Sequence, residues 1–225
     1  MYVTIPFEHQ VYETVAVPKP RANQRPERTL AAGASLFREG DEVVRLYEVT
    51  SGVLRLTRLL GDGRRQVIAF GYPGDIVGFP CNGLHHTDCD ALNRVTVRSY
   101  SRSALEHGDN DPVLHQRLLQ AALREISAMQ DHFMMLGRKS ALEKVASFLC
   151  VLGERVGSDL GDYRQADLAM SRADIADFLG LTTETVSRSL TQLRKCKVIA
   201  LDNIHTVILL RPDVLLTVAQ GDRCC

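Results

Sequence analysis

The stretch SRADIADFLGLTTETVSRSLTQLRK, residues 171–195, decides how the C-terminal half of the chain folds. Ser171 followed three residues later by Asp174 has the form of a capping box, in which hydroxyl and carboxylate satisfy the free N–H groups of a starting helix. IADFL carries that helix to Gly180, and Thr182 or Thr183 can cap a second helix over TETVSRSLTQLRK. Two short helices joined by a glycine-containing turn form a helix-turn-helix. Ala176 suits the point where the helices cross closely, while Ile175, Leu179, Leu181, Val186 and Leu190 supply apolar contacts.

On the second helix Glu184, Ser187 and Arg188 stand at i, i+3 and i+4, so they share one face in the N-terminal half. That half is the part of a recognition helix that meets base edges in a major groove. Arg188 can donate twice to guanine O6 and N7, Glu184 can accept from a cytosine amino group, and Ser187 is small enough to lie beside a thymine methyl. Taken alone, Glu184 and Arg188 would be a surface ion pair worth a few tenths of a kcal/mol. Their place in a capped helix-turn-helix favours base reading. The following VIALDNIHTVILL, residues 198–210, holds two apolar runs around Asp202-Asn203 and predicts a hairpin wing against the DNA backbone. Ser171, Arg172, Thr182, Thr183, Arg194, Lys195 and Lys197 are expected to contact phosphates or to cap helices.

Upstream, Asp111-Pro112 marks a helix start, an N-cap acid before a proline at the first helical position. Leu119, Ala122, Ile126, Met129, Phe133 and Leu136 then recur at alternating steps of three and four, the spacing of a coiled-coil dimer seam. Packing onto the helix's own domain is the alternative. Gly137 is expected to end it, and Ser140 to Leu152 forms another amphipathic helix. From Leu30 to Tyr100, short apolar segments alternate with turns at Gly40-Asp41, Gly61-Asp62-Gly63 and Pro73-Gly74-Asp75, which predicts an antiparallel barrel or roll. Pro6, Pro18, Pro20 and Pro26 fall in a stretch without apolar period, expected to be a loose arm. The expected boundaries are an arm over 1–29, a β-roll over 30–110, a dimerisation helix over 111–137 and a winged helix-turn-helix over 138–225.

The 225 residues carry no net charge, which argues against nucleic acid until the charge is located. Between Thr182 and Lys197 there are four basic residues, Arg188, Arg194, Lys195 and Lys197, against the single acid Glu184. No run reaches the length of a membrane span and no secretion leader is visible, so a cytoplasmic protein is expected. Six scattered cysteines argue for reduced thiols rather than a disulfide framework. No glycine-rich phosphate loop, HExxH or GxSxG is present, and the histidines have no visible acid or nucleophile partner, so no enzyme is expected.

Five segments together resemble the CRP/FNR superfamily of bacterial regulators, and more narrowly its FNR and FixK branches: GASLFREGD (33–41), YEVTSGVLRL (47–56), PGDIVGF (73–79), MMLGRKSALEKVASFL (134–149) and GLTTETVSRSL (180–190). The resemblance spans Leu30 to Ala219. It implies an α+β fold with an antiparallel β-roll like those that bind cyclic nucleotides, a long dimerisation helix and a C-terminal winged helix-turn-helix. The E-x-x-S-R pattern falls on Glu184, Ser187 and Arg188 and implies a two-fold site similar to TTGAT with an inverted ATCAA, bound by a homodimer that recruits RNA polymerase. The FixK likeness further implies genes of microaerobic respiration, denitrification or nitrogen fixation.

Departures from the family bear on sensing. After Pro73-Gly74-Asp75 comes IVGFPCNG, while Arg98-Ser99 and Arg102-Ser103 fall too late to hold a cyclic phosphate. No cysteine precedes Cys81, so the thiolates of an N-terminal iron–sulfur cluster are missing. No cofactor or metal is expected, although Cys81, Cys89, His85 and His86 lie close in sequence. The alternative is an effector-gated regulator that senses a small ligand, haem or redox state through the roll. Cys196, between Arg194-Lys195 and Lys197, is a candidate redox thiolate whose oxidation would weaken DNA binding, and an unreactive thiol packed under the wing is the alternative.

Overall fold

The computed structural model describes residues 27–108 and 111–222. The prolines of the expected arm and the Cys224-Cys225 pair lie outside the described residues. Eight strands make the first body: β1 (Glu27–Leu30), β2 (Ser35–Phe37), β3 (Arg45–Ser51), β4 (Leu54–Leu59), β5 (Arg65–Gly71), β6 (Ile76–Val77), β7 (Asp88–Ala91) and β8 (Val95–Ser101). They form two antiparallel sheets ordered β1-β8-β3-β6 and β2-β7-β4-β5. Alternation along these strands sends Leu30, Val49, Leu54, Leu56, Ala69, Val95 and Val97 into one core. Gly52 holds φ at +80°, and a Cβ there would stand 2.3 Å from the Arg94 carbonyl, so only glycine fits between β3 and β4. Folded chain starts earlier than the expected Leu30, because Glu27–Leu30 already pair with Val95–Arg98.

After the short α1 (Arg102–Glu106), α2 (Pro112–Arg138) begins where Asp111 accepts the Leu114 N–H at 3.0 Å. It runs through Gly137, where nothing crowds the backbone, and stops at Lys139, whose extended conformation (ψ 143°) leads into the next cap. Its inner face, Leu114, Leu118 and Ala121, packs on Leu46, Ile76, Tyr100 and Ala104 of the roll. Glu48 is buried there and bonds Tyr100 and Arg117, tying the helix to β3 and β8. On another face Leu119, Ile126, Met129 and Phe133 are exposed, Phe133 by 77%. Ala122 is half-buried. Leu136 departs from this set, because it packs against the C-terminal core.

Ser140 opens α3 (Ala141–Val156) with a full capping box on Glu143, and the helix continues one turn past the expected Leu152. A hairpin of β9 (Ser158–Leu160) and β10 (Tyr163–Asp167) follows, then α4 (Arg172–Leu179) and α5 (Thr183–Lys195). The wing is β11 (Ile199–Asn203) and β12 (Thr206–Leu209), and α6 (Pro212–Ala219) closes the fold against α3. β10 pairs with both β12 and β9, so the wing extends a four-stranded sheet, β11-β12-β10-β9. The β9–β10 hairpin and α6 are elements the pattern did not announce.

The two bodies share one core. Val53, Val67, Phe70 and Tyr72 of the roll pack in the same cluster as Phe148, Phe178, Leu179 and Val186. Phe70 meets Phe178 edge-on at 5.1 Å between centroids, and His132 of α2 stacks on Phe178 at 4.4 Å. No described helix is long and apolar enough to cross a membrane.

Candidate nucleic-acid interface

α4 is fixed first. Ser171 Oγ accepts the Asp174 N–H at 3.1 Å and donates to its carboxylate at 2.7 Å, and the same carboxylate accepts the Ser171 N–H at 3.0 Å. Gly180 then turns the chain in the left-handed region, φ 62°, where a Cβ would be strained. Thr182 caps α5 by accepting the Thr185 N–H at 3.2 Å. Val186, Ser189, Leu190 and Leu193 are the buried side of α5, and spacing by three and four leaves its opposite side to solvent.

That exposed side is one open trough lined by Glu184, Ser187, Arg188, Thr191, Gln192 and Lys195. The three expected base readers are therefore brought together. Glu184 and Arg188 stand 3.6 Å apart with side chains 77% and 70% exposed, a loose contact that a stronger partner can replace. Ser187 Oγ donates to the Thr183 carbonyl at 2.9 Å, which keeps its hydroxyl close to the helix. Glu184 sits in the first turn and Arg194 and Lys195 in the last, each on the end where the helix dipole favours its charge.

The expected phosphate and capping residues separate by position. Ser171 and Thr182 are caps, while Thr183, Arg194, Lys195 and Lys197 are exposed. Lys197 adopts φ 54°, the left-handed turn between α5 and the wing. Arg172 is half-buried, and burial pushes its guanidinium down from the ordinary arginine value. The wing turn lies at Ile204-His205, two residues beyond the expected tip, because Asn203 Oδ1 accepts the His205 N–H at 2.7 Å and closes the bend there.

Other sequence candidates are not brought together. Cys89 is buried in the roll, where desolvation drives its thiol far up. His85 stacks on Phe37 at 3.7 Å, His86 lies 2.9 Å from the Arg58 guanidinium, and Cys81 is exposed. Cys196 is disulfide-bonded and packs half-buried against the C-terminal core. A cross-linked sulfur has no proton to lose, so Cys196 departs from the reduced thiols expected of the six cysteines.

Sequence reasoning missed the charges behind α4. Arg55 of β4 reaches Asp174 at 2.6 Å and Asp90 at 2.8 Å, and Arg65 of β5 reaches Asp174 at 2.7 Å and Asp177 at 2.8 Å. Burial alone would raise the Asp174 carboxyl, but bonds from Ser171 and the Arg55 guanidinium outweigh it and hold it below the usual value. No local motif announces these pairs.

Two family models match the chain: a cyclic nucleotide-binding domain over residues 27–107 and a Crp-like helix-turn-helix domain over residues 143–218. The nitrogen fixation regulation protein FixK of Bradyrhizobium diazoefficiens is 42% identical over 172 residues, which cover 76% of this chain and 73% of that protein. FixK of Rhizobium meliloti is 37% identical over 198 residues, 88% of this chain and 89% of the relative. Among solved structures, FixK2 from Bradyrhizobium japonicum superposes with a TM-score of 0.79 at 32% identity, covering 88% of this chain and 99% of that one. With a β-roll, a long helix and a winged reading head in this order, the chain belongs to the CRP/FNR superfamily and is a DNA-binding transcription regulator of the FixK type.

Proposed function

We propose that the protein binds, as a homodimer, a palindrome similar to TTGAT-N4-ATCAA, with Glu184, Ser187 and Arg188 of each subunit reading one half-site. The observation that carries this is the trough on α5, where these three side chains face solvent together above a fully buried opposite side. The apolar face of α2 supports pairing of two chains, since Leu119, Ile126, Met129 and Phe133 at coiled-coil spacing are 43 to 77% exposed among the described residues. Two reading helices related by a two-fold axis meet half-sites about one helical turn apart.

Bound at a promoter, the dimer recruits RNA polymerase. The named relatives regulate nitrogen fixation, and the setting we assign is oxygen-limited respiration, denitrification or nitrogen fixation. DNA binding requires no small effector in this reading. Fluorescence anisotropy with the palindrome and a scrambled duplex tests it. Strong preference for the palindrome without any additive supports the assignment, and equal affinity for both duplexes refutes it. Binding that begins only when a nucleotide or haem is added would instead establish the effector-gated alternative.

A further inference from the structure

The C-terminal body hangs from α2 through Lys139 and Ser140, the two extended residues between the helices. A link of that length leaves a domain free to swing unless other contacts hold it. Ion pairs made by three arginines cross between the roll and the C-terminal body. Arg55 and Arg65, on the paired strands β4 and β5, grip Asp174 and Asp177 of α4. On another side Arg155 of α3 reaches Asp75, in the turn before β6, at 2.6 Å. Gln66 adds a bond to the Asp177 carbonyl.

Between these polar contacts lies the cluster of Phe70, Phe148 and Phe178. The two kinds of contact do different things. Apolar burial favours adhesion without fixing an angle, whereas charge-assisted bonds from planar guanidinium groups are directional. Asp90 adds to the direction: by holding one Nη of Arg55 it leaves the other aimed at Asp174. Asp174 in turn belongs to the capping box of α4, so the same carboxylate joins the roll to the start of the helix-turn-helix.

We propose that Arg55 and Arg65 are positioning residues for DNA recognition. They hold α4, and through the Gly180 turn α5, at the angle that sets the spacing between the two reading helices of a dimer. This rests on the palindrome reading above. It also gives a physical account of binding without an effector, because the competent orientation is fixed by resident ion pairs. If releasing the grip leaves one molecule in ten correctly oriented, apparent affinity falls about tenfold.

The test is an Arg55→Ala/Arg65→Ala double variant of the full chain. Its binding is measured on the palindrome, on versions with the spacer lengthened or shortened by one base pair, and on a scrambled duplex. The expected result is about a tenfold loss on the palindrome, loss of preference among the three spacers, and unchanged affinity for scrambled DNA. Arg65→Asp alone should lose spacer preference, and Arg65→Asp combined with Asp177→Arg should regain it.

Unchanged spacer preference overturns the proposal, and so does tighter palindrome binding. Parallel weakening on every duplex with a lowered Tm overturns it as well, since that is simple destabilisation. Should the wild-type chain itself fail to prefer the palindrome, the base-reading assignment fails, and hydrogen exchange of the free protein decides the clamp. There the double variant should speed exchange in α4 and β5 while β3 and β8 stay protected, and unchanged α4 exchange overturns the proposal.

Discussion

α4 and α5 are neighbours in one motif, yet they treat charge in opposite ways. The acids of α4, Asp174 and Asp177, are held by arginines of the roll, and Asp174 is almost fully buried. The charges of α5 are exposed, and Glu184 and Arg188 make only a long contact with each other. Ion pairs that are buried and bridged resist loss, while exposed pairs contribute little to stability. One helix is built to stay where it is put, and the other keeps its hydrogen-bonding groups available for a partner.

The hardest blow to this contrast is Phe178→Ala. The ring is fully buried and touches Phe70, Phe148 and His132, so its removal opens a cavity where the roll, α2, α3 and α4 meet. We expect a loss of about 3 to 5 kcal/mol in urea unfolding, with DNA binding lost through unfolding rather than recognition. Asp174→Ala comes next. It leaves Arg55 with one partner fewer in a part-buried site and also breaks the cap on α4, for roughly 3 kcal/mol.

His132 makes the same junction sensitive to acid. Burial above all, and the nearby Lys144 ammonium, push its imidazole down to about 4. The neutral ring is therefore the folded form, and the unfolded chain takes up a proton first, near its ordinary pKa of about 6.5. Stability is complete above that pH, falls as pH drops toward 4, and levels off below, by roughly 3 kcal/mol at most from this group. Urea midpoints between pH 7 and 4 should fall less steeply in His132→Gln, and an identical slope would remove His132 from the account.

Arg188→Ala reverses the pattern. Its side chain is exposed, so unfolding should change by less than about 0.5 kcal/mol. Discrimination at the guanine should fall by about 1 to 3 kcal/mol, read from anisotropy on palindromes altered at that pair. A variant as selective as the wild type would place base recognition elsewhere on α5.

The contrast also explains what could be read from the chain in advance. α5 and its caps were legible because their determinants are local: Thr182 caps Thr185, Ser171 caps Asp174, and the reading face follows from steps of three and four. The clamp was not legible, because its partners lie 109 to 119 residues apart. Within LRLTRL, Arg55 looks like any polar residue on the outer side of a strand. Gly137 misled for a related reason. A glycine is only a weak helix breaker, and the helix stops instead where Ser140 begins the next cap. For α6 the local mark is Pro212 at the first helical position, too weak alone to announce so short a helix.

Lys197 gives the smallest and most diagnostic effect. It is exposed beyond the end of α5, at the bend into the wing, and we propose that it meets a phosphate rather than a base edge. Because its φ of 54° is costly for any residue but glycine, Lys197→Gln is the cleaner change: it removes the charge while keeping a long side chain and the same backbone strain. The variant should weaken palindrome and scrambled duplex by the same factor. The slope of log affinity against log salt should become shallower by about one per subunit. A selective loss on the palindrome would mean that the bend takes part in reading sequence, and the division of labour between α5 and its flanks would have to be redrawn.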